Sequence, residues 1–267
     1  MENKKIGIYI NILVYIYLAL PTIIFFAGWL KWYFALPFGL VAAVACVKGF
    51  SNSIRDKCLI IDSSVDIEIR TLVKVLLLIA LWVYISGIGG WCYQNKDHEV
   101  RNAIFRALVQ YDWPVISYDG SRGLIYYIGF WLPAACVGKV FGLEAGYAAQ
   151  VVWAVLGIFI VYYLICVYRK KVDLLPILFL IFFSGLDYVG TWILGEEGID
   201  LSLAAHLEWW AYDMQFTSTT AQLFWVFNQA IPAWVSTMLI MTQKSCKNML
   251  FILALTMLSS TIPFVGL

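Results

Sequence analysis

The chain has 267 residues, 62% of them hydrophobic and 13% charged, and eighteen basic against seventeen acidic side chains leave a net charge of +1. Soluble domains carry about 25% charged residues, so this composition, with a mean hydropathy of +0.81, excludes a water-soluble globular protein; with no basic patch it also excludes a nucleic-acid partner. Six cysteines (Cys46, Cys58, Cys92, Cys136, Cys166 and Cys246) form no CxxC pair and read as small apolar residues of a protein embedded in a lipid bilayer.

In chain order, apolar stretches suited to helical spans run near 6–28, 32–50, 72–90, 145–168, 172–195, 222–241 and 248–267. Each has about 18–24 residues, the length that crosses roughly 30 Å of hydrocarbon at about 1.5 Å per residue. The expected fold is an all-α integral membrane protein of about seven transmembrane helices, with interfacial helices in a large first outer loop. The first run follows MENKK and is too long for a signal-peptide core, so it reads as a retained span with a cytoplasmic N-terminus. The segment 51–71 alternates charged and apolar residues and reads as a surface turn.

A polar island, 91–122, interrupts the third and later spans. Within it, Glu99–Gln110 has a helical pattern: Val100, Ile104 and Leu108 recur every fourth residue, with Arg101 and Arg106 off that stripe. A short amphipathic helix resting on the membrane is expected there. Trp113-Pro114 ends it and Asp119-Gly120-Ser121 marks a turn.

The next apolar ribbon, 124–142, is long enough to span, but the charge distribution argues against it. If it does not cross, Lys4, Lys5, Lys48, Arg55, Lys57, Arg70, Lys74, Arg169, Lys170, Lys171, Lys244 and Lys247 lie inside, and Lys31, Lys96, Arg101, Arg106, Arg122 and Lys139 outside. If it does cross, outer basic residues outnumber inner ones. The first arrangement obeys the positive-inside rule, and Gly129, Pro133, Gly138 and Lys139 suit a broken interfacial helix. Two outer loops result, 91–144 and 196–221, and each holds one of the two histidines, His98 and His206. In the second loop Trp209, Trp210 and Tyr212 read as interface anchors beside Glu208 and Asp213.

Asp97-His98-Glu99 follows the third span closely. A carboxylate near the outer surface can take a proton from an acceptor hydroxyl, and Arg101, Arg122 and Lys139 are candidate contacts for a phosphate leaving group. Asp187 falls inside the 172–195 stretch, about 12 Å along a helix from its outer end; an acid within a span is a candidate cavity-lining group. His206 and Glu208 are further candidates for substrate contact. With Asp97, His98 and Glu99 they would supply an N/O ligand set, which makes a divalent cation a candidate cofactor, although no HExxH pattern is present.

This layout resembles the GT-C class of membrane glycosyltransferases, which take sugars from polyprenyl-phosphate carriers. Asp97 and Glu99 match that class's acidic position after an early span. The stretch Leu124-Ile125-Tyr126-Tyr127 through Lys139-Val140-Phe141-Gly142 resembles its interfacial run, and Arg169-Lys170-Lys171 its basic return. The likeness covers residues 72–267, read as a GT-C-like module within a single transmembrane domain, while 6–50 adds a hairpin of spans ahead of it. The class usually continues with further spans, so the chain reads as its front module.

The resemblance implies transfer of a sugar from a polyprenyl-phosphate-linked donor to an acceptor on the outer face of a bacterial plasma membrane. It implies Asp97 as base, Glu99 as second acid, and inversion at the anomeric carbon. The alternatives are a transporter or lipid flippase with Asp187 as its coupling acid, and a non-catalytic subunit that works beside a membrane partner.

Overall fold

The computed structural model describes residues 2–56, 58, 68–116, 120–184, 186–193, 216–244 and 246–267. Among these, every extended element is helical: α1 (Glu2–Trp29), α2 (Trp32–Arg55), α3 (Ile69–Ile85), α4 (Lys96–Gln110), α5 (Leu132–Phe141), α6 (Leu143–Arg169), α7 (Leu175–Phe182), α8 (Asp187–Ile193), α9 (Thr219–Thr242), α10 (Met249–Thr256) and α11 (Thr261–Gly266). The protein is a helical membrane protein. Among the described residues four helices are long and apolar enough to cross a bilayer, namely Ile12–Trp29 within α1, α2, α6 and α9.

The other three expected spans differ from uninterrupted crossings, each for a local reason. α3 has 17 residues and ends where Gly87, Gly89 and Gly90 take positive φ. The 172–195 stretch splits into α7 and α8, because Phe183 turns extended (ψ 118°) and Leu186 adopts φ 59°. The final stretch breaks between α10 and α11 at Ser260 (φ −146°, ψ 65°), whose hydroxyl donates to the Gln229 carbonyl at 2.5 Å. Pro263 lacks the N–H that would bond back across that break.

α6 is the central post. It buries Gly146, Gln150, Ala154, Gly157, Val161 and Leu164 against α3, α5 and α9. α1 joins through a Tyr17–Trp153 stack at 4.2 Å. α2 packs chiefly on α1, and Leu36, Leu40, Val41 and Val47 remain exposed. The ribbon 124–142 is neither one helix nor peripheral. Leu124 N–H donates to the Val115 carbonyl at 2.9 Å, a 3₁₀ turn covers Gly129–Trp131, and α5 follows with Trp131, Leu132 and Ala135 fully buried. The 3₁₀ turn and α5 together are too short to cross, since thirteen helical residues rise about 20 Å. The turn expected at 119–121 has its charged residue, Asp119, outside the described residues; on either side of it Ile116 and Gly123 form an antiparallel bridge.

α5 and α6 form a tight hairpin through Gly142, whose φ of 93° is the left-handed backbone that glycine supplies without strain. A Cβ on Gly146 would lie 3.0 Å from the Gly138 Cα and 3.1 Å from the Phe105 ring. At the opposite end of the bundle a buried polar knot ties the N-terminal hairpin to the end of α9. Tyr15 Oη and Ser53 Oγ share a hydrogen bond of 2.8 Å, Asn52 Nδ2 donates to Asn248 Oδ1 at 3.2 Å, and Asn248 Nδ2 faces the Gly49 carbonyl and Gln243 Oε1, each at 3.2 Å, and Ser53 Oγ at 3.4 Å. α6 ends with Lys170 in the left-handed region (φ 55°). There Arg169 Nη1 holds Asp173 Oδ1 at 2.8 Å, and the same oxygen accepts from Leu175 N–H to start α7.

These contacts set two expectations for thermal unfolding in detergent. Gly146→Val forces the α5–α6 hairpin apart and lowers stability by about 1–3 kcal/mol. Gly39→Ala, in α2 with open space around its Cα, leaves stability unchanged or raises it by up to about 1 kcal/mol through helix propensity.

Candidate functional site

Asn95 caps α4. Its Oδ1 accepts from the Asp97 N–H at 3.1 Å and pairs with His98 Nδ1 at 3.0 Å, while its Nδ2 donates to the Phe224 carbonyl of α9 at 2.9 Å. One amide thus starts the helix, holds the imidazole and fastens both to α9. Asp97 and Glu99 in the first turn suit the positive end of the helix. Gln94 stitches the preceding turn to α4: Nε2 donates to the Gly87 carbonyl at 2.7 Å, and Oε1 accepts from Asn102 Nδ2 at 2.8 Å. The turn approaches so closely that a Cβ on Gly87 would stand 2.6 Å from the Tyr93 carbonyl and 3.4 Å from His98 Nε2.

The buried face of α4 is His98, Arg101, Ile104, Phe105 and Leu108. This corrects the expected Val100–Ile104–Leu108 stripe. Val100 is 59% exposed, and Arg101, expected to lie off the stripe, is 5% exposed. The reason is the partner surface: α4 packs on α5, α6 and the aromatic ring of Phe227, and does not rest as an isolated amphipath. Phe227 is the hub. Its ring lies 5.7 Å from His98, 5.5 Å from Phe130 and 6.2 Å from Trp131 by ring centroids, and the Arg101 guanidinium sits 5.9 Å above it. α9 bends here. Val226 is non-helical (φ −137°, ψ 34°), and the bend lets Gln222 Oε1 accept from Trp234 Nε1 at 3.0 Å, twelve residues on.

Arg101 Nη2 donates to Asp97 Oδ2 at 3.0 Å. Its Nε and Nη1 are buried with no partner among the described residues, as are His98 Nε2, Trp131 Nε1 and both amide atoms of Asn228. A buried polar atom left unpaired costs about 1–3 kcal/mol, so this cluster is unfinished by the groups of the described residues. Burial, reinforced by the Arg101 charge and only partly opposed by Asp97, lowers the His98 pKa to about 4, so the imidazole is neutral near pH 7.

Beside the cluster opens an apolar cleft of about 580 Å³, lined by Thr22, Phe25 and Phe26 of α1, by Ile125, Tyr126 and Tyr127, and by Ala254, Met257, Leu258 and Thr261. Tyr126 is the wall between the two. Its ring is 3.9 Å from Tyr127 and 5.9 Å from Trp131, and its hydroxyl is within electrostatic reach of Arg101 and Asp97. Burial first, and a hydrogen bond with Tyr127 second, push its pKa up to about 12, so it remains a phenol.

The structure brings together Asp97, Arg101 and His98, and sets Glu99 and Lys139 apart from them. Glu99 is exposed in the first turn of α4. Lys139 is a brace at the far end of α5, donating to the Tyr111 carbonyl at 2.6 Å with its ammonium 5.1 Å from the Trp113 ring. That ring in turn packs 4.9 Å from Trp29. Arg122 is exposed on the returning strand of the 116–123 bridge. Asp187 opens the seven-residue α8 and does not sit inside a continuous span; its side chain lies outside the described atoms. His206 and Glu208 fall outside the described residues, so a metal site that uses them does too. Among the described residues no group of three His, Cys, Asp or Glu side chains is assembled for a metal.

Sequence reasoning missed Asn95, Tyr126, Trp131 and Phe227. Asn95 alone carried a signal, since an Asn followed by KDHE is a helix-start pattern. No family model, curated protein or solved structure matches the chain.

The depressed His98 pKa has a definite sign. The unfolded chain takes up a proton near the ordinary 6.5, and the folded one only near 4. The contribution of His98 to stability is therefore constant above pH 6.5 and is lost as the pH drops from 6.5 towards 4. Unfolding temperatures in detergent are expected to show this slope, and His98→Gln is expected to flatten it.

Proposed function

We propose that this protein is a membrane glycosyltransferase of the GT-C kind. It takes a sugar from a polyprenyl-phosphate donor and passes it to an acceptor hydroxyl, with Asp97 as general base. The single observation that carries this reading is the adjacency of two unlike surfaces: a buried, half-satisfied Arg101 paired with Asp97, and across Tyr126 an apolar cleft of about 580 Å³. A phosphate needs fixed cationic donors and an isoprenoid tail needs an apolar trough; one lipid phosphate satisfies both.

Asp97 is half exposed, and its Oδ2 is held by the Arg101 guanidinium. Oδ1 is the oxygen assigned to the acceptor. Attack by the acceptor oxygen on the anomeric carbon breaks its bond to the phosphate oxygen. Asp97 takes the acceptor's proton, and Arg101 stabilises the departing phosphate. One base on one face gives inversion. Lys139, committed to Tyr111 and Trp113, stands outside this role.

The reading also keeps the N-terminus and the basic ends of α2, α6 and α9 in the cytoplasm. The knot at Asn52 and Asn248 supports it, because it gathers Arg55, Lys244 and Lys247 at one end of the bundle.

Asp97→Asn preserves an oxygen for Arg101 and removes the base. In a folded preparation that transfers sugar from a labelled polyprenyl-phosphate donor, we expect the turnover to fall by about 10²–10⁴. Transfer at the wild-type rate would refute the base. In intact cells with native cysteines removed, a cysteine at Lys170 is expected to resist a membrane-impermeant thiol reagent while one at Asp112 reacts. The opposite pattern would place the acids in the wrong compartment.

A further inference from the structure

Taken together, the unpaired groups of the cluster describe the ligand's own donors and acceptors. On one helical turn of α4, Arg101 offers two nitrogens, Nε and Nη1, whose N–H groups nothing in the described protein accepts, and His98 offers one lone pair that nothing donates to. His98 is 1% exposed and Arg101 5%. The lone pair is on Nε2 because Asn95 decides where the proton resides. Asn95 Oδ1 is an acceptor only, since its Nδ2 is recognised by its own donation to the Phe224 carbonyl, so the imidazole proton must sit on Nδ1 to fill the 3.0 Å contact. An amide turned the other way would lose that bond and the helix cap with it. Nε2 is then a bare acceptor, closed off from solvent and packed under the glycine turn at Gly87.

We propose that Asn95 is a positioning residue that locks His98 in its Nδ1-protonated tautomer, so that Nε2 accepts a hydroxyl of the ligand while Arg101 Nε and Nη1 hold the anionic group next to it. The inference rests on the lipid-phosphate reading for the identity of the anion, and it adds a requirement. The site selects a phosphate that carries a hydroxyl-bearing sugar over the same lipid phosphate without one. His98 works as a hydrogen-bond acceptor that orients the sugar, and proton removal remains with Asp97. A bare alkyl phosphate brings no sugar hydroxyl to Nε2.

Two measurements test this. The chain has only two histidines, so His206→Gln leaves a single imidazole for ¹⁵N spectroscopy of the full chain in micelles. The expected spectrum has a protonated Nδ1 and a bare Nε2. Asn95→Ala is expected to move the proton to Nε2, and Asn95→Asp, which keeps the acceptor, to restore it. A protonated Nε2 in the otherwise wild-type protein overturns the proposal, even if Asn95→Ala does not fold.

The second measurement is equilibrium binding of decyl phosphate and decyl phosphoryl glucose. His98→Ala is expected to weaken the glucosyl lipid by about tenfold, the value of one buried hydrogen bond, and to leave decyl phosphate within about twofold. Arg101→Lys is expected to weaken both. Equal loss of both lipids in His98→Ala, or wild-type protein that binds neither, overturns the proposal. Because binding is read without turnover, a failure here is distinct from a failure of Asp97 as base.

Discussion

A guanidinium taken out of water must recover, from the protein, the interactions it gave up. Arg101 recovers them in part: one N–H group meets Asp97, the flat cation lies over Phe227, and Nε and Nη1 have no partner among the described residues. The arrangement is tolerable only because its neighbours are fixed first. Asn95 starts α4 in the right place, α9 bends so that Phe227 enters the cluster, and the 3₁₀ turn before α5 brings Phe130 and Trp131 to its other side. Removing a partner of a buried charge typically costs about 3–5 kcal/mol, so these elements answer to one another more than to their own propensities. A charge buried this way is weak as a stabilising device and strong as a recognition device, which is why the functional reading begins from it.

How far the sequence discloses this architecture depends on the kind of signal. Hydropathy over eighteen or more residues identifies α1, α2, α6 and α9, because length and apolarity are what a crossing helix needs. It does not disclose that 172–195 and 248–267 are interrupted helices, where the composition stays apolar while the backbone breaks at Leu186 and Ser260. Composition does not record a φ angle. The turn after the third span and the helix at 96–110 are readable from glycines, capping residues and periodicity. The face that α4 buries is not, since Arg101 is apolar in neither charge nor hydropathy and is buried by a partner that lies more than a hundred residues later.

The site itself divides the same way. Asp97 and Arg101 stand close in sequence, so their pairing across one helical turn is foreseeable. Phe227, Trp131 and Tyr126 are three of the chain's many aromatic residues, and nothing local distinguishes them from interface anchors. Lys139 was a reasonable phosphate contact by charge, yet its ammonium is held by the Tyr111 carbonyl and the Trp113 ring. Charge tells what a side chain is able to bind, and the fold tells what has already bound it.

The knot at Asn248 has a consequence for how the N-terminal hairpin is attached. Its amide nitrogen carries two hydrogens and is surrounded by the Gly49 carbonyl, Ser53 Oγ, Gln243 Oε1 and, at 3.4 Å, the Tyr15 hydroxyl. Acceptors outnumber hydrogens, so the bonds are interchangeable. Such a joint is redundant: the loss of any one acceptor still leaves both hydrogens of Asn248 with a partner. The hairpin forms one wall of the apolar cleft through Thr22, Phe25 and Phe26, so the knot that anchors the hairpin also holds that wall.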